Sequence, residues 1–484
     1  MNKDYRTGVT QFLLDHAASN PVSFHMPGHK GSDFYRRNGY GLFLERLMDC
    51  DITEIQGADN LFVCADCLGE SADKYKKIYD VCKTYLQING TSGGIIASIL
   101  ATVPAGGKLL MSRNCHKSVY NALKLGGISP AYVYPTLVDS YGISGPVSPE
   151  DVAAGFDANP DAAAFILPSP NYYGICSDIK AIAEVCHERG KVLIVDQAHG
   201  AHLKLMEHYA KDGAINLNLP MSAETAGADL IINSTHKTLA SFTQSAVLNV
   251  NSDRVDLIEL EDKLQMIESS SPSYILMGSL DVNANIILDK GEAVFTDWAN
   301  NVAYFYSEAA NISGLKTMDV PGYLDCTKIN LDMSAYGLDG AALEKLLIDE
   351  GIFVELTTGN LLMCMTGIGN TREDFDKLLN SLKRIASTHQ LVESEPGEAD
   401  VLETVWNKKR HVHQIGGGWS LETLDECEGK VCAGSIIPYP PGIPLICPGE
   451  TVDLDDIEYL NQLISKGRDV IGVDANKKIR INKK

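Results

Sequence analysis

Residues 191–196, KVLIVD, and 228–234, ADLIINS, decide the reading of this chain, with 162–168, AAAFILP, as the third of the set. Each is a short apolar run rich in Val, Ile, Leu or Ala and bounded by turn or polar residues, the pattern of a strand buried on both faces. A helix candidate at 177–189 separates the first two in chain order, with Ile179, Ile182 and Val185 or Cys186 at helical spacing. Buried strands joined by helices imply an α/β architecture, a parallel sheet with helices on its faces. In such sheets ligands bind beyond the carboxyl ends of the strands. The segments leaving those ends are polar and chemically capable: Ser169-Pro170-Asn171, Asp196-Gln197-Ala198-His199 and Thr235-His236-Lys237.

Farther along, the pattern from residue 253 to 306 turns helical and charged, interrupted by Ser269-Ser270-Ser271-Pro272-Ser273. A smaller α/β unit follows, with strand candidates TKINLDM (327–333) and NLLMCMT (360–366) and a helix candidate at 340–350. The acidic stretch 391–403, with Pro396-Gly397, has the composition of a linker, and the last part of the chain carries the Pro- and Gly-dense PYPPGIPLICPGE, 438–450. This organisation predicts an N-terminal arm (1–55), a large domain (56–300), a small α/β domain (301–390) and a C-terminal α+β domain (391–484).

With 484 residues, 45% of them apolar and 21% charged, the chain has ample material for a core, and disorder and collagen-like structure are excluded. The formal net charge of −22 argues against sequence-independent nucleic-acid binding, which needs clustered Lys and Arg. The basic tail around Lys477, Lys478, Arg480, Lys483 and Lys484 fits a solvated terminus. The first 20 residues lack a signal-peptide apolar core, and the weakly polar run 93–107 is too short to span a bilayer. A cytoplasmic protein with no membrane partner is expected. Its 12 Cys are then expected to be thiols. Cys64 and Cys67 form one CxxC without the second pair that a zinc site wants, so no metal is expected.

Lys237 directly follows a predicted buried strand, where an unpaired cation is costly. It serves either as an ion-pair partner that holds the fold or as an amine made nucleophilic by desolvation for Schiff-base chemistry. Asp196 ends a neighbouring strand and reaches the same sheet edge, and a buried carboxylate needs a cationic partner. The protonated ring nitrogen of pyridoxal 5'-phosphate is one such partner; a helix cap or salt bridge is the alternative. Asn89-Gly90-Thr91-Ser92-Gly93-Gly94 precedes an apolar helix, and its hydroxyls and free N–H groups suit a phosphate monoester or a plain helix cap. His116 is placed either to stack on an aromatic ring or as a structural residue.

Together these elements resemble the Orn/Lys/Arg decarboxylases. SFHMPGHKGS (23–32), DITEIQGADNL (51–61), NGTSGG (89–94), RNCHKS (113–118), SPNYYG (169–174), VDQAHGAH (195–202), STHKTLASFTQSAVLNV (234–250) and PYPPGIPLICPGE (438–450) occur in that family's order. The likeness spans residues 20 to 455 and matches the short form, without an N-terminal response-regulator-like domain. It implies a fold-type-I, aminotransferase-like large domain with a mixed, mostly parallel sheet and bound pyridoxal 5'-phosphate.

Carried onto matching positions, the resemblance makes Lys237 the lysine that carries the cofactor and Asp196 the partner of its ring nitrogen. His116 becomes the stacking residue and Ala198 the small contact under the ring. Thr91, Ser92 and Gly93 become the phosphate cradle, helped by Ser234 and His236. Ser269 matches a position that reaches the phosphate from a neighbouring subunit, so a homodimer or larger homo-oligomer is expected. The implied reaction is decarboxylation of arginine, lysine or ornithine to its amine, feeding polyamine metabolism. Lys237, His199 or His236 would protonate the α-carbon. Asp51, Glu54, Asp59 and Glu450 are the candidates for the substrate's distal cation. Two positions depart from the family pattern, the segment 62–70 and Gln197, where short-form relatives often have Glu. The competing readings are another fold-type-I activity, transferase or lyase, and a catalytically silent regulatory paralogue.

Overall fold

The computed structural model describes residues 8–209, 217–392, 408–410, 412–413, 418–439, 443–465 and 467–483. Most of the linker expected at 391–403, and residues 440–442 of the Pro-rich motif, lie outside them.

Seven strands form the central sheet: β1 (Lys83–Gln87), β2 (Lys108–Ser112), β3 (Ser129–Val133), β4 (Ala162–Pro168), β5 (Val192–Asp196), β6 (Leu230–Asn233) and β7 (Ala246–Val250). Their order is β1-β7-β6-β5-β4-β2-β3. β7 runs antiparallel to both its neighbours, and the other adjacent pairs are parallel. The sheet is therefore mixed and mostly parallel, as expected.

Strand periodicity sorts the apolar side chains to two faces. Ala164, Ile166, Ile194, Leu230 and Ile232 pack with the helix Gly90–Thr102 in one cluster. Phe165, Leu167, Leu193, Val195 and Ile231 pack with the helices Pro149–Ala158 and Ile179–Glu188 in another. The helix expected at 177–189 spans Ile179–Glu188 and buries Ile179, Ile182, Ala183 and Cys186. Asp178 caps it, accepting the Ala181 N–H at 3.1 Å.

A second, antiparallel sheet contains both strands expected in the 310–390 region, observed at Lys328–Asp332 and Leu361–Met365. It packs with helices Gly340–Ile348 and Arg372–Thr388. The helix Tyr274–Ala309 links it to the central sheet and runs unbroken through residue 300. At the C-terminal end, Trp419–Thr423 pairs with Lys478–Asn482, and the helix Leu454–Ser465 covers the cluster around Leu424, Ile446 and Ile479. No helix among the described residues is long and apolar enough to cross a membrane.

The N-terminal segment is stitched to the site backbone to backbone. Val22–Phe24 pairs in parallel with Ile352–Val354. Gly28 then donates to the His236 carbonyl at 2.8 Å, and its own carbonyl accepts the Gly369 N–H at 2.9 Å. A Cβ at Gly28 would lie 2.3 Å from the Leu239 oxygen, so only glycine allows this crossing.

Candidate active site

Strand register brings the three polar segments to one edge. Pro168 is level with Asp196, and Asp196 with Ile232, so the turns after β4, β5 and β6 emerge side by side. Lys237 lies in the single helical turn Thr235–Thr238 that follows β6.

Lys237 Nζ shares a 2.8 Å hydrogen bond with His199 Nε2. Desolvation lowers the lysine's pKa, opposed by the carboxylates of Asp196 and Glu355 and reinforced by the cation of Lys328. His199 is buried and held well below the ordinary imidazole range, first by desolvation and then by Lys237. Its Nδ1 is buried without a hydrogen-bond partner among the described residues. The Tyr172 ring packs on His199 with centroids 4.5 Å apart, and Lys237 Nζ lies 5.8 Å from that ring. Asn171 shapes the turn that presents Tyr172, accepting the N–H groups of Tyr173 at 3.0 Å and Ile175 at 3.1 Å.

Asp196 is buried, accepts the Ala198 N–H at 3.2 Å and has no ion-pair partner among the described residues. Burial raises its pKa, and Lys237 pulls it back down. Ala198 is buried beside it. His116 caps the helix Lys117–Gly126: its Nδ1 accepts the Ser118 N–H at 3.3 Å and lies 2.9 Å from Ser118 Oγ. Desolvation, Lys237 and Lys117 lower its pKa to about 3, so the ring stays neutral.

Thr91, Ser92 and Gly93 form the first turn of Gly90–Thr102, which holds no acidic residue. The turn leading into it is braced from behind. Asn89 Nδ2 donates to the Ile267 carbonyl at 2.8 Å, and Glu268 Oε1 accepts the Ile88 N–H at 3.3 Å. Ser234 Oγ lies 3.2 Å from His236 Nδ1, which also meets the Ser245 carbonyl at 2.8 Å. Desolvation lowers the pKa of His236 to about 4. Ser269, which follows Glu268, is exposed, its hydroxyl accepting the Ser271 N–H at 3.2 Å.

The four carboxylates considered for a distal cation have different surroundings. Asp59 accepts five backbone N–H groups, from Asn60, Ala65, Asp66, Leu68 and Gly69, and organises its own loop. Glu450 is fully buried, pairing with Arg113 at 2.9 Å and accepting the Cys447 N–H at 2.7 Å. Both are occupied by the fold. Asp51 is exposed, and Glu54, also exposed, accepts the Asn60 amide at 2.9 Å.

A second acid acting on the lysine beside Asp196, Glu355, was missed by the sequence reading. Its Oε1 accepts the Tyr172 hydroxyl at 3.0 Å and its Oε2 the Met26 N–H at 3.0 Å. One local signal was available, an acid inside the apolar run IFVEL, 352–356. Gln197 does not line this space. Its amide donates to Glu224 at 2.8 Å and Asn233 at 3.0 Å and accepts the Ala223 N–H at 2.7 Å, inside a buried network. All 12 Cys are free, and no cluster with metal-binding composition occurs among the described residues.

A mixed seven-stranded sheet with one antiparallel strand and a lysine, an aspartate and a helix N-terminus at its carboxyl edge defines the aminotransferase-like fold of type I. Alanine–glyoxylate aminotransferase from Nostoc sp. superposes with a TM-score of 0.54 at 16% identity, over 71% of this chain and 91% of that one. Lysine decarboxylase A from Pseudomonas aeruginosa superposes with a TM-score of 0.75 at 20% identity, over 98% and 80%.

Within that class the chain belongs to the Orn/Lys/Arg decarboxylase family. The family's major-domain model matches residues 7–320 and its C-terminal-domain model residues 407–476. An arginine decarboxylase from Bacillus subtilis (strain 168) is 30% identical, over 97% of this chain and 96% of the relative.

Proposed function

We propose that this chain is a pyridoxal 5'-phosphate-dependent decarboxylase of a basic amino acid, arginine, lysine or ornithine, working as a homodimer. The observation that carries the reading is the Lys237 amine, its pKa lowered by desolvation, held against His199 at the strand edge that also bears Asp196.

The residues present fit the cofactor. Among the described residues, Asp196 is a buried carboxylate without an ion-pair partner and His199 Nδ1 a buried polar atom without a hydrogen bond, and the first turn of Gly90–Thr102 itself carries no acid. Thr91, Ser92 and Gly93 would hold the phosphate with backbone N–H groups and hydroxyls, assisted by Ser234 and His236. His116 would lie on one ring face and Ala198 on the other. When bound, the cofactor supplies an electrophilic aldehyde and a cationic ring that draws electrons from a bond at the substrate's α-carbon.

The chain's own residues supply the rest. Desolvation shifts the Lys237 amine toward its uncharged, nucleophilic form. Asp196 holds a proton at the ring nitrogen by opposite charge. His199 keeps the amine oriented, and the proton that the substrate's ammonium group gives up to Lys237 Nζ is the one that Lys237 Nζ, or His199 Nε2 hydrogen-bonded to it, delivers to the α-carbon after CO₂ leaves. Glu355, with two acceptor sites beyond those taken by Tyr172 and Met26, is the carboxylate available to the substrate's distal cation.

Borohydride reduction of the loaded protein followed by peptide mapping tests the assignment; a tag at Lys237 is expected, and a tag elsewhere defeats it. Incubation with each of the three amino acids is expected to release CO₂ and the matching amine. Keto-acid formation would mark a transferase instead.

A further inference from the structure

Lys328 and Asp325 are fully buried, and nothing in the reaction outlined above uses them. Lys328 Nζ reaches Asp325 Oδ2 at 2.6 Å and also donates to the main-chain carbonyl of His199 at 2.6 Å. Asp325 Oδ1 accepts the Thr327 hydroxyl at 2.6 Å and its N–H at 3.0 Å. Asp325 Oδ2 meets His202 Nε2 at 3.2 Å, and His202 Nδ1 meets Thr238 Oγ1 at 3.2 Å.

Thr238 is the residue after Lys237, so these contacts close a ring. It runs from Lys237 through Thr238, His202, Asp325, Lys328 and His199 and back to the Lys237 amine. Both sides of the Lys237–His199 contact are thereby tied to one ion pair. The SPNYYG turn seals it: a Cβ at Gly174 would lie 2.9 Å from the Asp325 carbonyl and 3.2 Å from Lys328 Cβ. A buried ion pair adds little net stability over an apolar pair of the same shape. What this pair supplies that an apolar pair cannot is a directed donor on the His199 carbonyl.

We propose that Asp325 and Lys328, through His202, are positioning residues that hold His199 against the Lys237 amine. The inference rests on Lys237 being the reactive lysine and deepens that reading. The charges facing Lys237 are the carboxylates of Asp196 and Glu355 and the cation of Lys328, with neutral His199 and His116 alongside.

The test uses the full-length double variant Lys328→Met/Asp325→Asn, which leaves no buried charge unpaired, with folding checked by circular dichroism. In cofactor-free protein, reductive methylation by formaldehyde and cyanoborohydride, mapped by peptide mass, gives the pH midpoint of Lys237 reactivity. Loss of the Lys328 cation, the charge of the pair that bears on Lys237, is expected to raise that midpoint. In loaded protein, kcat is expected to fall about tenfold or more while KM stays within about twofold, because orientation is lost and binding is not. A folded double variant in which either quantity matches the wild type overturns the proposal. If borohydride tags a site other than Lys237, the functional reading fails, whereas the methylation midpoint still reports on the ring of contacts.

Discussion

Charge state is the property that burial controls at single residues of this site. Lys237 is pushed toward its neutral form and Asp196 has its pKa raised, while His116 and His236 are lowered to about 3 and about 4. An imidazole that is neutral when folded but free to protonate at 6.5 when unfolded gives the unfolded state more bound protons in between. Stability therefore holds above pH 6.5 and is lost as pH falls toward the folded values. For His236 alone the loss reaches on the order of 3 kcal/mol by pH 4. Urea denaturation at intervals between pH 7 and 4 should show a falling midpoint, shallower in His236→Gln; parallel profiles for the two proteins would contradict the argument. Chain position made Lys237 and Asp196 legible, since each directly follows or ends an apolar strand. Asp59 and Glu450 could not be sorted the same way, because their N–H and Arg113 partners are set by loop closure and by docking.

Elements matter here chiefly by where they end. The carboxyl ends of β4, β5 and β6 deliver Tyr172, His199 and Lys237, and the N-terminus of Gly90–Thr102 faces the same edge. The turn carrying Lys237 is pinned from outside by Gly28, Ile368 and Gly369, through the Gly28–His236, Ile368–Thr238 and Gly369–Gly28 backbone hydrogen bonds. Gly28→Ala places a methyl 2.5 Å from the Thr238 carbonyl carbon and 2.3 Å from the Leu239 oxygen. Overlap with backbone cannot be relieved by a rotamer change, so a destabilisation of about 3 kcal/mol is expected. Cofactor affinity should fall with it, measured by equilibrium dialysis. Wild-type affinity in this variant would show that the N-terminal crossing is not needed to place Lys237. The strands β4, β5 and β6 and the helix Ile179–Glu188 were readable from the sequence pattern alone. The crossing was not, because a motif such as MPGHKG states that glycine is present and not which backbone it must let pass.

The whole molecule is held at its C-terminal end by a buried charge cluster. Arg113 leaves β2 and meets Glu450 at 2.9 Å, and it donates to the carbonyls of Pro444 at 2.8 Å and Leu445 at 3.0 Å. Arg410, bonded to Asp456, lies 3.9 Å from the same Glu450. Glu450→Ala leaves the buried Arg113 guanidinium without its anion, a loss of about 3–5 kcal/mol by the usual cost of breaking such a pair. Limited proteolysis should then release the C-terminal region faster than in wild type, and an unchanged cleavage pattern would argue that docking does not depend on this cluster. Exposed apolar side chains concentrate near the N-terminus, with Phe12 69%, Leu42 68%, Met48 81% and Val63 68% exposed. This supports the homodimer reading. Sedimentation equilibrium should give twice the 52.5 kDa chain mass or a higher multiple; a monomer at micromolar concentration would remove it.

By itself the sequence determined the α/β class, the three central strands β4 to β6, the polar turns beyond them and the family, because these are written in local periodicity and in residues contiguous along the chain. The tertiary structure decided which acids are free to act. Glu355 reaches Tyr172 across 183 positions, and Lys328 reaches the His199 carbonyl across 129. Such pairings have no local signature, since the desolvation and charge that give them chemical meaning arise only when distant segments exclude water together.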